Sequence, residues 1–225
     1  LVPSAFPGPQ TQHTIVTAPL RYAQLDLASQ ATRIRLNSTV LRVEHLGEPG
    51  RATDVRIVYA RGGKRHQVTA QNVVMACFNN IVRFLVPSLP AEQKQALAYA
   101  SKVPMQYTNV LVRNWEPWKK LGVNWILAPN GYHTSVSLDI PVSIGDYHCP
   151  TDPREPIVVH MVRNPNRPGL PRKEQHRLGR AEMLATPFSR IETEIRGQLT
   201  RMLGPAGFDA QRDILAITVN RWPHG

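Results

Sequence analysis

Between residues 131 and 148 the chain gathers Tyr132, His133, Thr134, Ser135, Ser137 and Asp139, and then Asp146, Tyr147 and His148. Carboxylates, hydroxyls and aromatic faces at this density are the chemistry that holds a cationic amine. A carboxylate accepts charge-assisted hydrogen bonds from an ammonium, and a ring face attracts it through its quadrupole. An amphipathic edge strand followed by ordinary loop residues accounts for the same pattern, and the residues alone leave both readings open. A second group closes the chain: in Trp222-Pro223-His224-Gly225 the aromatic follows an apolar strand, where it can plug a core or wall a flat cofactor.

Other chemistries lack their arrangements. The eight histidines (His13, His45, His66, His133, His148, His160, His176, His224) include no i, i+4 pair of the kind a helical zinc site uses, so no metal is expected. Cys77 and Cys149 form no C-x-x-C. There is no G-x-S-x-G elbow and no G-x-x-x-x-G-K-[ST] loop. No strand leads into G-x-G-x-x-G, the turn whose backbone sets a pyrophosphate on a helix N-terminus.

The elements that would position these residues follow from hydrophobic period. RIRLNSTVLRVEH (33–45) and TDVRIVYARGGKRHQVTA (53–70) alternate apolar with polar residues, and Gly62-Gly63 reads as the hairpin turn that needs positive φ. A first strand is expected at 33–36, resuming at 40–45 after Asn37-Ser38-Thr39. With 55–59 and the stretch after the hairpin it makes a three-stranded meander. NVVMAC (72–77) is an unbroken apolar run and predicts a strand buried on both faces, with Cys77 a small core residue at its end. A short helix or turn is expected at 20–27, and a helix at 92–100 with Ser88 as its cap. Strands follow at 106–115, 133–138 and 157–163, separated by long proline- and glycine-rich loops. The strongest helical signal has Thr186 as N-cap, Pro187 in its first position, Ile191, Ile195, Leu199 and Met202 at helical spacing, and Gly204-Pro205 as its stop. A last strand is expected at 214–220.

At 225 residues and 42% apolar content the chain can bury a sizeable core, and its longest apolar runs are strand-sized, so no membrane span is expected. The proline-rich start has neither the basic nor the apolar region of a signal peptide. The net charge is +11, but 21 arginines and 6 lysines are spread along the chain without a basic block, which argues against a nucleic-acid partner. Composition fixes neither the compartment nor the oligomeric state.

The longer strings resemble the flavin-dependent amine oxidase superfamily, and within it the bacterial spermidine dehydrogenase-like branch, over nearly all of the chain from about Leu20. RLNSTVLRV resembles the strand whose valine meets the adenine of FAD, and NVVMACFNN the later strand that ends at the cofactor. VPMQYTNVLVRNWEPW resembles the first strand of the substrate domain, YHTSVSLDIPVSIGDY a pocket-lining strand and loop, and ITVNRWPHG the strand returning to the isoalloxazine ring. The resemblance implies an α/β fold of α+β character: a linker (1–30), part of an FAD-binding domain with its meander (31–86), a mixed-sheet substrate domain with covering helices (87–218), and the end of a return strand (219–225). It implies FAD contacts at Val40, Cys77, Phe78 and Trp222, and an amine substrate held by Tyr132, His133, Asp139, Asp146 and His224. The family lysine that holds a water near the flavin has no counterpart, since its place falls on Asn109 or Val110, so no catalytic residue carries over. The missing glycine loop and an end on an apolar strand are those of a piece of a longer enzyme, whose other segments would be needed to bind FAD. The rival readings are a flavin oxidoreductase acting on a non-amine substrate and an interaction module without cofactor.

Overall fold

Thr11 opens the first helix, α1 (Gln12–Thr17), its Oγ1 accepting the Thr14 N–H at 3.1 Å. Residues 2–224 are described in this computed structural model, and the chain forms two compact units, Leu1–Ala100 and Ser101–Gly225. In the first, the expected meander is present: β1 (Thr39–His45), β2 (Val55–Arg61) and β3 (Lys64–Ala70) pair antiparallel in the order β1-β2-β3. Gly62 and Gly63 have φ of 56° and 73°, the left-handed pair that a two-residue hairpin turn needs to match strand twist. Val43, Ile57 and Val68 lie opposite one another on one face; Arg42, Val58 and Gln67 form a row on the other. Asp26 ties the preceding segment to this sheet through Arg35 and Arg61, whose hydrogen bonds hold its carboxyl down at about 2.

Two expected strands are not formed. Residues 33–36 stay irregular and end at Asn37, whose φ of 52° is left-handed backbone that breaks a strand and that asparagine tolerates. Residues 72–77 are neither strand nor buried: Val74 is 87% exposed and Cys77 is exposed. A run apolar on both sides is buried only between two neighbouring strands, and among the described residues none pairs with it. The chain continues into α2 (Asn79–Leu85) and α3 (Ala91–Tyr99), the latter starting after Pro90 rather than from a Ser88 cap.

In the second unit, β4 (Met105–Val112), α4 (Glu116–Leu121), β5 (Trp125–Leu127), β6 (Ser135–Leu138), β7 (Ile157–Arg163), α5 (Arg172–Ala185), α6 (Phe188–Leu203), α7 (Ala210–Asp213) and β8 (Ile214–Trp222) succeed one another. The five strands lie in the order β5-β6-β7-β4-β8, and every pairing is antiparallel, which corrects the expected mixed sheet. The architecture is α/β in content, with helices beside antiparallel sheets. Helix α6 begins one residue later than expected, with Pro187 at the N-cap and no side-chain cap. It buries Ile191, Ile195, Leu199 and Leu203, each 0% exposed, against Val110, Val112, Val136, Val159 and Met161 on one face of the sheet. Burial stabilises such a side chain by roughly 1.5–3 kcal/mol, so this seam sets which sheet face is core.

Candidate active site

Alternation along a strand sends every second side chain to the other face. With Val110 and Val112 committed to the core, Tyr107, Asn109 and Leu111 emerge opposite. Antiparallel register then fixes a row across all five strands: Trp125 faces Ser137, Ser137 faces His160, His160 faces Asn109, and Asn109 faces Thr218. A second row holds Leu127, Ser135, Val162, Tyr107 and Asn220. No residue of these rows is fully buried and none belongs to the core cluster. The face is therefore not part of the unit's own core, and it carries aromatic and neutral polar groups at its centre.

Within it the side chains are held. Asn109 Oδ1 is 2.7 Å from His160 Nδ1, the His160 and Tyr107 rings lie 4.9 Å apart between centroids, and the Trp125 indole N–H donates to Ser135 Oγ at 2.7 Å. Burial lowers the pKa of His160, leaving it neutral near pH 7. Beside this face, where β5, β6 and β7 meet the loops, a cleft of about 440 Å³ is lined by Trp115, Trp125, Leu138, Asp139, Cys149 and Ile157 among others.

The sequence-predicted residues are distributed over this sheet rather than gathered at one point. Trp222 faces Met105 at one end of β4 and is 57% exposed; Asp139 follows β6 and bonds to Val158, opposite Leu111, near the other. Six residues of strand separate those ends, roughly 20 Å at 3.4 Å per residue. Asp139 is exposed in the cleft, one carboxylate oxygen accepting the Ile140 N–H at 2.9 Å. Asp146 is exposed in the tight turn closed by the Ile144–Tyr147 bridge. His224 lies 3.1 Å from an Arg180 guanidinium nitrogen, and Arg180 also donates to the Pro223 carbonyl at 2.8 Å, so α5 fixes the end of β8.

Tyr132 and His133 turn out to serve the core. Arg163 covers one face of the half-buried Tyr132 ring, 4.2 Å from its centroid, so on that face the position an ammonium would take is occupied. His133 is 0% exposed, with Nε2 at 3.1 Å from both Gln106 Nε2 and Thr108 Oγ1. Gln198 of α6 spans its backbone, accepting its N–H at 2.9 Å and donating to its carbonyl at 2.7 Å. Burial drives its pKa from 6.5 down to about 4.

In the first unit Val40 is 38% exposed and lines a hollow of about 220 Å³ with Arg35, Ser38, Ile57, Tyr59 and Val68. That apolar wall suits a planar ring such as adenine. Cys77 is exposed and Phe78 half-buried on the irregular stretch before α2. The pyrophosphate of FAD is less well served: among the described residues no G-x-G-x-x-G turn runs from a strand into a helix, so the fit extends to the adenine ring and not to the phosphates. Among the described residues no group of three or more His, Cys, Asp or Glu could hold a metal ion, and no helix is long and apolar enough to cross a membrane.

His160, Tyr107 and Trp125 were not singled out from sequence. The signal available was the polar member at every second position of the strands; the register that aligns them is set by pairing partners from a dozen to more than a hundred residues away.

No protein-family model matches the chain, and no curated protein matches it in sequence. Solved structures match its fold. A variant of putrescine oxidase redesigned for cofactor binding superposes with a TM-score of 0.54 at 17% identity, over 81% of this chain and 34% of that one. Wild-type putrescine oxidase bound to putrescine gives 0.51 at 15% identity, over 81% and 34%. The chain thus has the fold of part of putrescine oxidase and spans about a third of its length.

Proposed function

We propose that this chain contributes the meander of an FAD-binding domain (31–86) and most of a substrate domain (87–218), with a return strand end (219–225), to an enzyme that oxidises a C–N bond of a polyamine such as spermidine. The observation that carries the reading is the sheet face outside the core, with its central row of aromatic and neutral polar side chains, in a fold shared with a structure that binds putrescine. Val40 would meet the adenine and Trp222 the flavin. A bound flavin would supply the two-electron acceptor that the protein's side chains lack. The protein's own part is to orient the amine against the sheet and to supply a local negative field from Asp139 or Asp146.

A non-amine substrate is the second reading, and specific features favour it: Leu111, Val158 and Val162 make much of the face apolar, and a net charge of +11 repels a polycation at long range. Turnover separates the two. The protein isolated with its flavin is expected to release an aldehyde from spermidine or putrescine. Inertness toward both, with oxidation of an apolar unsaturated substrate, would replace the amine reading with the second.

A further inference from the structure

His160 lies at the middle of β7 and near the middle of the outward face. Its Nδ1 is 2.7 Å from the Asn109 amide oxygen, which only accepts, so the ring proton sits on Nδ1 and Nε2 keeps a lone pair. This is how a general base is built: a neutral imidazole, oriented through one nitrogen by a third group, with the other nitrogen available. Packing against Tyr107 at 4.9 Å and the row position between Ser137 and Asn109 fix where the ring stands. The titratable groups around it are Tyr107 from β4 and Asp139 beyond β6. The carboxylate favours the protonated ring, while the larger effect of burial favours the neutral one.

An aliphatic amine reaches any site at neutral pH as an ammonium, and oxidation of its C–N bond requires the nitrogen lone pair. We propose that His160 Nε2 is the base that removes the ammonium proton, with Asn109 as its positioning residue; the proposal rests on the amine-oxidising reading. The N–H bond pair stays on the amine nitrogen, the proton passes to Nε2, and the imidazolium that forms keeps its Nδ1–H bond to Asn109. In water the transfer is uphill by about four pKa units. Desolvating the ammonium against Tyr107 and Leu111 lowers its pKa and narrows that gap, the burial of His160 widens it, and the Asp139 carboxylate favours the imidazolium that forms. The chemistry assigned here to a neutral histidine stands on the same strand pair as Asn109, where the resemblance would have set a lysine.

¹⁵N NMR of the uniformly labelled protein, with putrescine as probe, tests the base without relying on turnover. The His160 resonances are expected to show the Nδ1–H tautomer, putrescine is expected to shift Nε2, and Asn109→Leu to mix the tautomers. In the flavin-loaded enzyme His160→Gln is expected to lower kcat/KM for the amine at least about a hundredfold and to remove the acidic limb of its pH profile, with amine affinity retained. If putrescine shifts resonances elsewhere on the face but leaves His160 unmoved, or if His160→Gln keeps the acidic limb, the base assignment is wrong and the amine reading stands. If putrescine perturbs no resonance at all, the amine reading fails and takes the base with it.

Discussion

Gly179→Ala is expected to destabilise the second unit by about 3 kcal/mol, at the upper end of what overpacking costs, and to lower its melting midpoint by roughly 10 °C. Helix α5 meets the loop before it so closely that a Cβ at this position would stand 1.9 Å from the Pro165 carbonyl oxygen and 2.6 Å from its carbon. Both are backbone atoms and cannot swing aside as a side chain would, so the helix must move off the loop. His176, Gly179 and Met183 form the buried stripe of α5, and displacing it disturbs all three. Gly197→Ala in α6 is the contrasting substitution. Its Cβ would meet only the mobile end of Arg201 at 3.3 Å, so the helix propensity of alanine prevails and a gain of about 0.5–1 kcal/mol is expected. Thermal melts of the two variants beside the parent chain check both signs; a Gly179→Ala protein melting with the parent would refute the close packing of α5.

The second large effect is a loss of stability on mild acidification. His133 is neutral in the fold: with the Gln106 amide N–H donating to Nε2, its proton is on Nδ1, which has no partner, and Gln106 Oε1 is likewise buried without one. Adding a proton there would place a charge in a site closed to water, which is why burial depresses the pKa to about 4 from 6.5. The sign follows from proton counting. Between those values the unfolded chain binds the proton and the folded chain refuses it, so stability is full above pH 6.5, falls by about 1.4 kcal/mol per pH unit below it, and levels near pH 4 after a loss of about 3 kcal/mol. His160 and His176, whose pKa values burial also lowers, act in the same direction. Urea unfolding at pH 7, 6, 5 and 4.5 measures the slope, and His133→Gln, uncharged at every pH, is expected to flatten most of it. Equal slopes for the two proteins would remove His133 as the cause.

What the sequence made legible was whatever local pattern decides. The meander and its Gly62-Gly63 turn, the strand at 157–163 and the apolar stripe of α6 each carry their own period, and all are present. Helix α4 escaped because Pro117 reads as a breaker, although proline in the first turn of a helix loses only a donor that has no partner there. Helix α5 escaped because RKEQHRLGRAEMLA carries six charged residues among fourteen and buries only a three-residue stripe. Residues 72–77 misled in the opposite direction: hydrophobicity predicts burial only when something lies beside the segment. The site was legible by residue type and illegible by placement. Tyr132, His133 and Asp139 have the chemistry of an amine pocket, yet Arg163 and Gln198, brought from elsewhere in the chain, draw the first two into the core. Asn109 was noticed only as the place where a lysine is missing; its partner His160 is fixed by β4–β7 register.

The central claim is that amine chemistry takes place against the outward face of the five-stranded sheet. It is tested by mixing the flavin-loaded full-length enzyme with putrescine in the absence of oxygen and following the visible flavin absorption, in the parent enzyme and in Ser137→Trp, which fills the face directly opposite His160. The parent is expected to bleach, and the variant to keep its flavin spectrum while bleaching at least about a hundredfold more slowly, the scale on which misplacing a substrate slows its reaction. Bleaching of the variant at the parent's rate would contradict the account.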